Sequence, residues 1–313
     1  MTTATTNTVS GEHTRSRAGA PAAGGGVADQ LAARRFVAAV ALPPPLGGEV
    51  EQARDRVAQL QRRGVDLFLV TPRESARAHV NAINFALHLE QHGIETIATA
   101  TTWDKTIMAL QADTLGAHAL GMRSVVCATG DPPQLGDYPN VDGIWDVDSL
   151  GLIELLAQLN QGRDCNGLTL ATKTAFHIGA TVNPGAQDLA AEIARTRAKV
   201  QAGAQFLVTR PAYELDALRR ILHALGDDRV PTLLHVAPLR SFLEAEYLAH
   251  EVPDLMIPDA TIRAMEHAGA HAERTGLELA TDLLGAARPL VDGVVLSLPG
   301  DDAAPLEVLL GAL

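Results

Sequence analysis

Phe36-Val-Ala-Ala-Val-Ala-Leu42, stopped by Pro43-Pro44-Pro45 and followed by Val50, Ala53, Val57 and Leu60 at helical spacing, reads as a buried strand, a break and an amphipathic helix. The same unit recurs downstream. Short apolar runs over 66–71, 95–100, 123–128, 175–180, 205–209, 231–236 and 293–298 are each separated by longer helical patterns. Strands that alternate with helices rather than with tight turns predict a parallel sheet. With Phe36–Leu42 the runs number eight, which closes a (β/α)8 TIM barrel, an α/β fold, over residues 31–313. An open doubly wound sheet is the other arrangement of such units, but no strand leads into GxGxxG and no GxxxxGK[ST] occurs.

Residues 1–30 are mostly Thr, Ala, Gly, Ser and Asn without apolar periodicity, so a disordered tail is expected there. Arg15 and Arg17 in that setting would suit a transit peptide, whereas Glu12 and Gly24-Gly25-Gly26 suit a flexible leader. Lys and Arg number 25 against 37 Asp and Glu, a formal charge of −12, which is the wrong sign for holding a phosphate backbone and argues against nucleic acid. Cys127 and Cys165 are the two cysteines and belong to no CxxC or zinc-type cluster, so a reducing cytoplasm is the expected setting. No apolar stretch approaches the ~18 residues of a membrane helix.

Barrel chemistry lies at the C-terminal ends of strands, which directs attention to 41–45, Thr71, Thr99, 129–133, 177–183, 209–211 and 235–238. Within them, Ala128-Thr-Gly-Asp-Pro-Pro133 places Asp131 on a loop stiffened by two prolines, directed at the barrel mouth. A fixed carboxylate there could accept two parallel hydrogen bonds from an amino-pyrimidinone edge or polarise a flavin; as a bare motif it is also turn punctuation. Lys199, near the end of a helix over 188–200, is either part of a solvated face or a phosphate contact at the rim. His177 and His235 lie in or beside strands, but no HxH, HExxH or GxSxG is present, so neither a metal nor a serine nucleophile is expected. Trp103 and Trp145 could cover a flat ligand or plug a gap.

Thr129-Gly-Asp-Pro-Pro133, Gly136-Asp-Tyr-Pro-Asn140, Asp146-Val-Asp-Ser-Leu-Gly-Leu-Ile153, Leu159-Asn-Gln-Gly162, Phe176-His-Ile-Gly-Ala180 with Asn183-Pro184, Thr209-Arg-Pro-Ala-Tyr213 and Glu251-Val-Pro253 to Ile257-Pro-Asp259 occur in one order over residues 36–298. Together they resemble the methylenetetrahydrofolate reductase family, in the form fused to homocysteine methyltransferases. The resemblance implies a barrel in which FAD, reduced by NAD(P)H, passes hydride to 5,10-methylenetetrahydrofolate. It implies cofactor contacts at Thr71, Thr99, Asp131, Asn183, Glu192 and Lys199, and substrate contacts at Asp131, Arg210 and Phe242.

Three positions depart from the family pattern. Ala41 stands where the resemblance puts a Glu that protonates folate, and the loss of a general acid slows a reaction ~100-fold to 10,000-fold. Glu49 and Glu51 are the nearby carboxylates. Arg210 replaces a Gln that both donates and accepts, whereas a guanidinium only donates. Thr99 replaces a flavin-contacting His. The expectation is a folate enzyme that still binds FAD and has diverged from reduction to methylene transfer onto a nucleophilic acceptor. The alternatives are an FAD- and NAD(P)H-dependent reductase with a displaced acid, and a non-catalytic subunit that binds flavin or a partner. A homo-oligomer is compatible with each.

Overall fold

The computed structural model describes residues 26–72, 78–298 and 304–313. Eight parallel strands close in sequence order: β1 (Val37–Leu42), β2 (Leu67–Val70), β3 (Glu95–Thr101), β4 (Ser124–Ala128), β5 (His177–Val182), β6 (Phe206–Thr209), β7 (Thr232–Val236) and β8 (Gly293–Leu296), with β8 returning to β1. The expected TIM barrel is the observed fold.

Period-two alternation divides each strand between two cores. Val37, Ala39, Leu67, Leu69, Ile97, Val126, Phe206, Val208, Leu233 and Val295 fill the barrel, and Ala41 packs against them. Val40, Phe68, Val70, Val125, Leu207, Leu234 and Val294 face the helices, in the larger cluster. Gly179 is required inside: a Cβ there would stand 2.3 Å from the Phe206 ring.

The sequence reading is corrected at two boundaries. The tail expected over 1–30 lies outside the described residues up to residue 25, but Val27–Gln30 belong to α1 (Val27–Ala32), which closes the bottom of the barrel. Val27 and Leu31 join the interior cluster, and Val27 N–H donates to Glu95 Oε1 at 2.5 Å. Tertiary contacts, not periodicity, hold so short a helix. The fifth strand runs two residues later than expected. Asn160, in α5 (Ser149–Gln161), accepts from Phe176 N–H (2.8 Å) and donates to Phe176 O (2.9 Å), so pairing with β4 begins only at His177.

The remaining helices that shape the mouth are α2 (Val50–Arg62), α3 (Ala82–Gln91), α4 (Ile107–Ala119), α6 (Leu189–Ala202), α7 (Asp216–Leu225), α8 (Phe242–His250) and α9 (Asp259–Ala268). α10 (Ala272–Ala287) approaches the β7–α8 turn so closely that a Cβ on Gly276 would fall 1.9 Å from Leu239 O. No helix among the described residues is long and apolar enough to cross a membrane.

Candidate functional site

At the C-terminal ends of β2, β3 and β4 the chain encloses a cavity of about 500 Å³, within the size range of small-molecule sites. Thr71, Thr99, Trp103, Lys105, Asp131 and Tyr138 are among its walls, so the structure brings together four of the residues singled out in the sequence, Thr71, Thr99, Trp103 and Asp131. The β4 loop is built around Thr129. Its carbonyl accepts from the N–H groups of Thr102 and Trp103 (both 3.2 Å), and its hydroxyl accepts from Ser149 N–H at the head of α5 (3.2 Å). Gly130 then turns with φ +85° under the Trp103 indole. Asp131 follows, exposed, with no hydrogen bond or ion pair among the described residues. Lys105 is already neutralised by Asp113 at 2.5 Å.

Asn183, Glu192 and Lys199 form a second group, in the wall between β5 and α6. Glu192 Oε1 accepts from Asn183 N–H at 2.8 Å. Lys199 is 4% exposed, and its ammonium donates to Thr181 O at 2.6 Å. Burial pushes its pKa down, and Glu192 partly restores it. The lysine is therefore buried against the C-terminal end of β5 and is not part of a solvated face.

Asn183 and Arg210 reach the same loop from adjacent strands. Asn183 Nδ2 donates to Asp254 O (2.9 Å) and Arg210 Nη1 to Pro253 O (3.2 Å). Asp254 is held at φ +56°, and a Cβ on Gly185 would meet Asp254 O at 2.8 Å. The loop between α8 and α9 is thus braced across one side of the mouth. Phe242 opens α8, half-buried against Leu239, Ile257 and Met265, away from the cavity.

Ala41 lies on the inner face of the barrel, opposite Leu69 of β2. Its inward neighbours on β1, β2, β7 and β8 are Ala39, Leu69, His235 and Ser297, none of them a carboxylic acid. Glu51 pairs with Arg54 on the surface, and Glu49 folds back over Gly47. These are the carboxylates near Ala41 in the sequence, at the start of the first helix; neither is directed into the barrel. The two strand histidines sit at opposite ends. His177 stacks on Phe206 at the bottom (4.6 Å between centroids), while His235 stands near the mouth. Burial lowers the pKa of each from 6.5 to about 4.

A family model described as methylenetetrahydrofolate reductase matches residues 28–294, nearly the whole barrel. The chain belongs to the methylenetetrahydrofolate reductase family. Among solved structures, this family member is similar to an uncharacterized protein from Clostridium thermocellum that binds two copies of 5-methyl-5,6,7,8-tetrahydrofolic acid. The two share 11% identity over 91% of this chain and 96% of that one, with a TM-score of 0.65. At that identity the likeness establishes the fold. A 2,3-dimethylmalate lyase of the PEP mutase/isocitrate lyase superfamily also aligns, at 15% identity over 88% of this chain and 80% of that one, with a TM-score of 0.48. No curated protein matches significantly.

Proposed function

We propose that this member of the family binds a reduced folate at the barrel mouth and passes the one-carbon unit of 5,10-methylenetetrahydrofolate, as an electrophilic methylene group, to a nucleophilic acceptor. The observation that carries the reading is the contrast across the mouth. The inner face around Ala41 presents no carboxylic acid among the described residues, whereas Asp131 stands unpartnered on the cavity wall. A free carboxylate at that place suits the two parallel donors of a pterin amino-pyrimidinone edge. The folate-binding neighbour from Clostridium thermocellum, which spans the same barrel, supports a folate as the ligand class.

The FAD that the family implies does not fit the described residues of this cavity. Its wall carries Asp104, Asp113 and Asp131, and its lysine, Lys105, is paired with Asp113. Lys199 donates to Thr181 O inside the wall, and Arg195 pairs with Asp148 at 3.0 Å. Among the described residues, a diphosphate would bring further negative charge against those aspartates without an unpaired cation to meet it; Arg73 and Arg77, between the lining residues Pro72 and Ala78, lie outside the described residues. Methylene transfer requires neither flavin nor NAD(P)H, because no hydride moves.

Titration with 5-methyltetrahydrofolate, followed by the fluorescence of Trp103 on the cavity wall, tests the binding step. Saturable quenching is the expected result. The absence of any folate binding contradicts the reading.

A further inference from the structure

Three strands converge beside Ala41. The register that pairs Val40 with Leu296 carries Ser297 next to Ala41, and pairing of His235 with Val295 brings the histidine alongside. Leu233 and Val295 point into the barrel, so alternation turns His235 and Ser297, two residues further on, to the same inner face. There the side chains meet, with His235 Nε2 2.7 Å from Ser297 Oγ. Both residues are half-buried at the mouth. The backbone beneath them is fixed: His235 N–H donates to Thr209 Oγ1 (2.9 Å), His235 O accepts from Ala212 N–H (3.0 Å), and Ser297 N–H donates to Val236 O (2.9 Å). β1 and β2 present Ala41 and Leu69 toward the pair, and β6 presents Arg210, whose guanidinium reaches out to Pro253 O.

We propose that Ser297 and His235 form a proton relay beside Ala41 that serves the one-carbon reaction in place of a carboxylic acid. The inference rests on the folate reading above. In the step it serves, an acceptor X–H attacks the methylene carbon of 5,10-methylenetetrahydrofolate. The X–C bond forms and the bond from that carbon to the anilinic nitrogen breaks, its electron pair staying on nitrogen. The proton leaves X for Ser297 Oγ as the serine hydroxyl proton moves to His235 Nε2. The imidazolium then returns its proton through Ser297 to the anilinic nitrogen, so the relay ends as it began, with the carbon bonded to X and still to N5. Transfer is completed when an electron pair on X expels N5: the C–N5 bond breaks with its pair on nitrogen, and N5 takes a proton from X or solvent. Burial keeps the imidazole neutral at neutral pH and makes it a weak base, so it holds the accepted proton only in passing and its conjugate acid gives the proton up readily. Ser297, next to Ala41, is the member placed to touch substrate.

Water as X–H makes the relay testable without a known acceptor: its attack gives an N5-hydroxymethyl folate, which releases formaldehyde as the C–N5 bond breaks and the hydroxyl proton passes to N5. The measurement is enzyme-catalysed exchange of radiolabelled formaldehyde with 5,10-methylenetetrahydrofolate, compared across pH for wild type, His235→Gln, Ser297→Ala and Ser297→Thr. The inference expects exchange above the solution rate in wild type and a loss of about 100-fold in His235→Gln and Ser297→Ala. It also expects recovery in Ser297→Thr, and affinity for 5-methyltetrahydrofolate within about twofold throughout, since proton transfer is removed and not binding. A second readout is the nitrogen NMR shift of His235 in wild type, which should move when 5-methyltetrahydrofolate binds. A wild type that binds folate but does not accelerate exchange, or a His235→Gln protein that exchanges at the wild-type rate, overturns the relay and leaves the folate reading standing. A wild type that binds no folate overturns both.

Discussion

Trp103 covers Gly130 so closely that a Cβ built on the glycine would lie 2.2 Å from Trp103 Cδ1, on a backbone already at φ +85°. The indole and the loop that carries Asp131 are therefore set against each other. Gly130→Ala should displace both, at about 1–3 kcal/mol of strain. A fall in melting temperature with altered tryptophan emission is expected, and an unchanged protein contradicts the packing.

Asp131 is exposed and has no partner among the described residues, so Asp131→Asn should leave stability unchanged. Calorimetry with 5-methyltetrahydrofolate should show affinity reduced ~10-fold to 100-fold, the range of a charged hydrogen bond. Equal affinity in the variant would remove the carboxylate from the site.

Lys199→Met separates a wall residue from a ligand contact. The substitution leaves Thr181 O and Glu192 without the ammonium, and stability should fall by about 1–3 kcal/mol while folate affinity is retained. Denaturant unfolding and calorimetry read the two effects independently. Lost affinity with unchanged stability would return the lysine to the ligand.

His177 and His235 are held neutral, with folded pKa values lowered from 6.5 to about 4. Above the unfolded pKa neither state binds the proton and stability is full. As pH falls from about 6.5 to about 4 the unfolded chain takes up protons first, so stability declines through that window and levels off below it. The decline should be on the order of 2 kcal/mol per ring after discounting for partial exposure. Unfolding measured across the window in wild type and His177→Phe checks it, and the variant should lose part of the slope.

The barrel was legible because buried parallel strands are short apolar runs and each is followed by a helical stripe. Asp131 was legible because strand ends are where barrels place chemistry. α1 was not, since a six-residue helix shows little periodicity and forms only once Glu95 and the barrel interior receive it. Lys199 in a polar helix reads as solvated, and only the closure of α6 on β5 buries it. Each of His235 and Ser297 is ordinary in its own segment. They are 62 residues apart in the chain and meet through the register of β7 with β8.

Isotope-labelled 5,10-methylenetetrahydrofolate, followed by carbon NMR in the presence of the protein, FAD and NADPH, tests most directly whether the one-carbon unit leaves without hydride. The account predicts protein-dependent departure of the labelled methylene carbon from the folate and no labelled 5-methyltetrahydrofolate. Protein-dependent accumulation of labelled 5-methyltetrahydrofolate would contradict it.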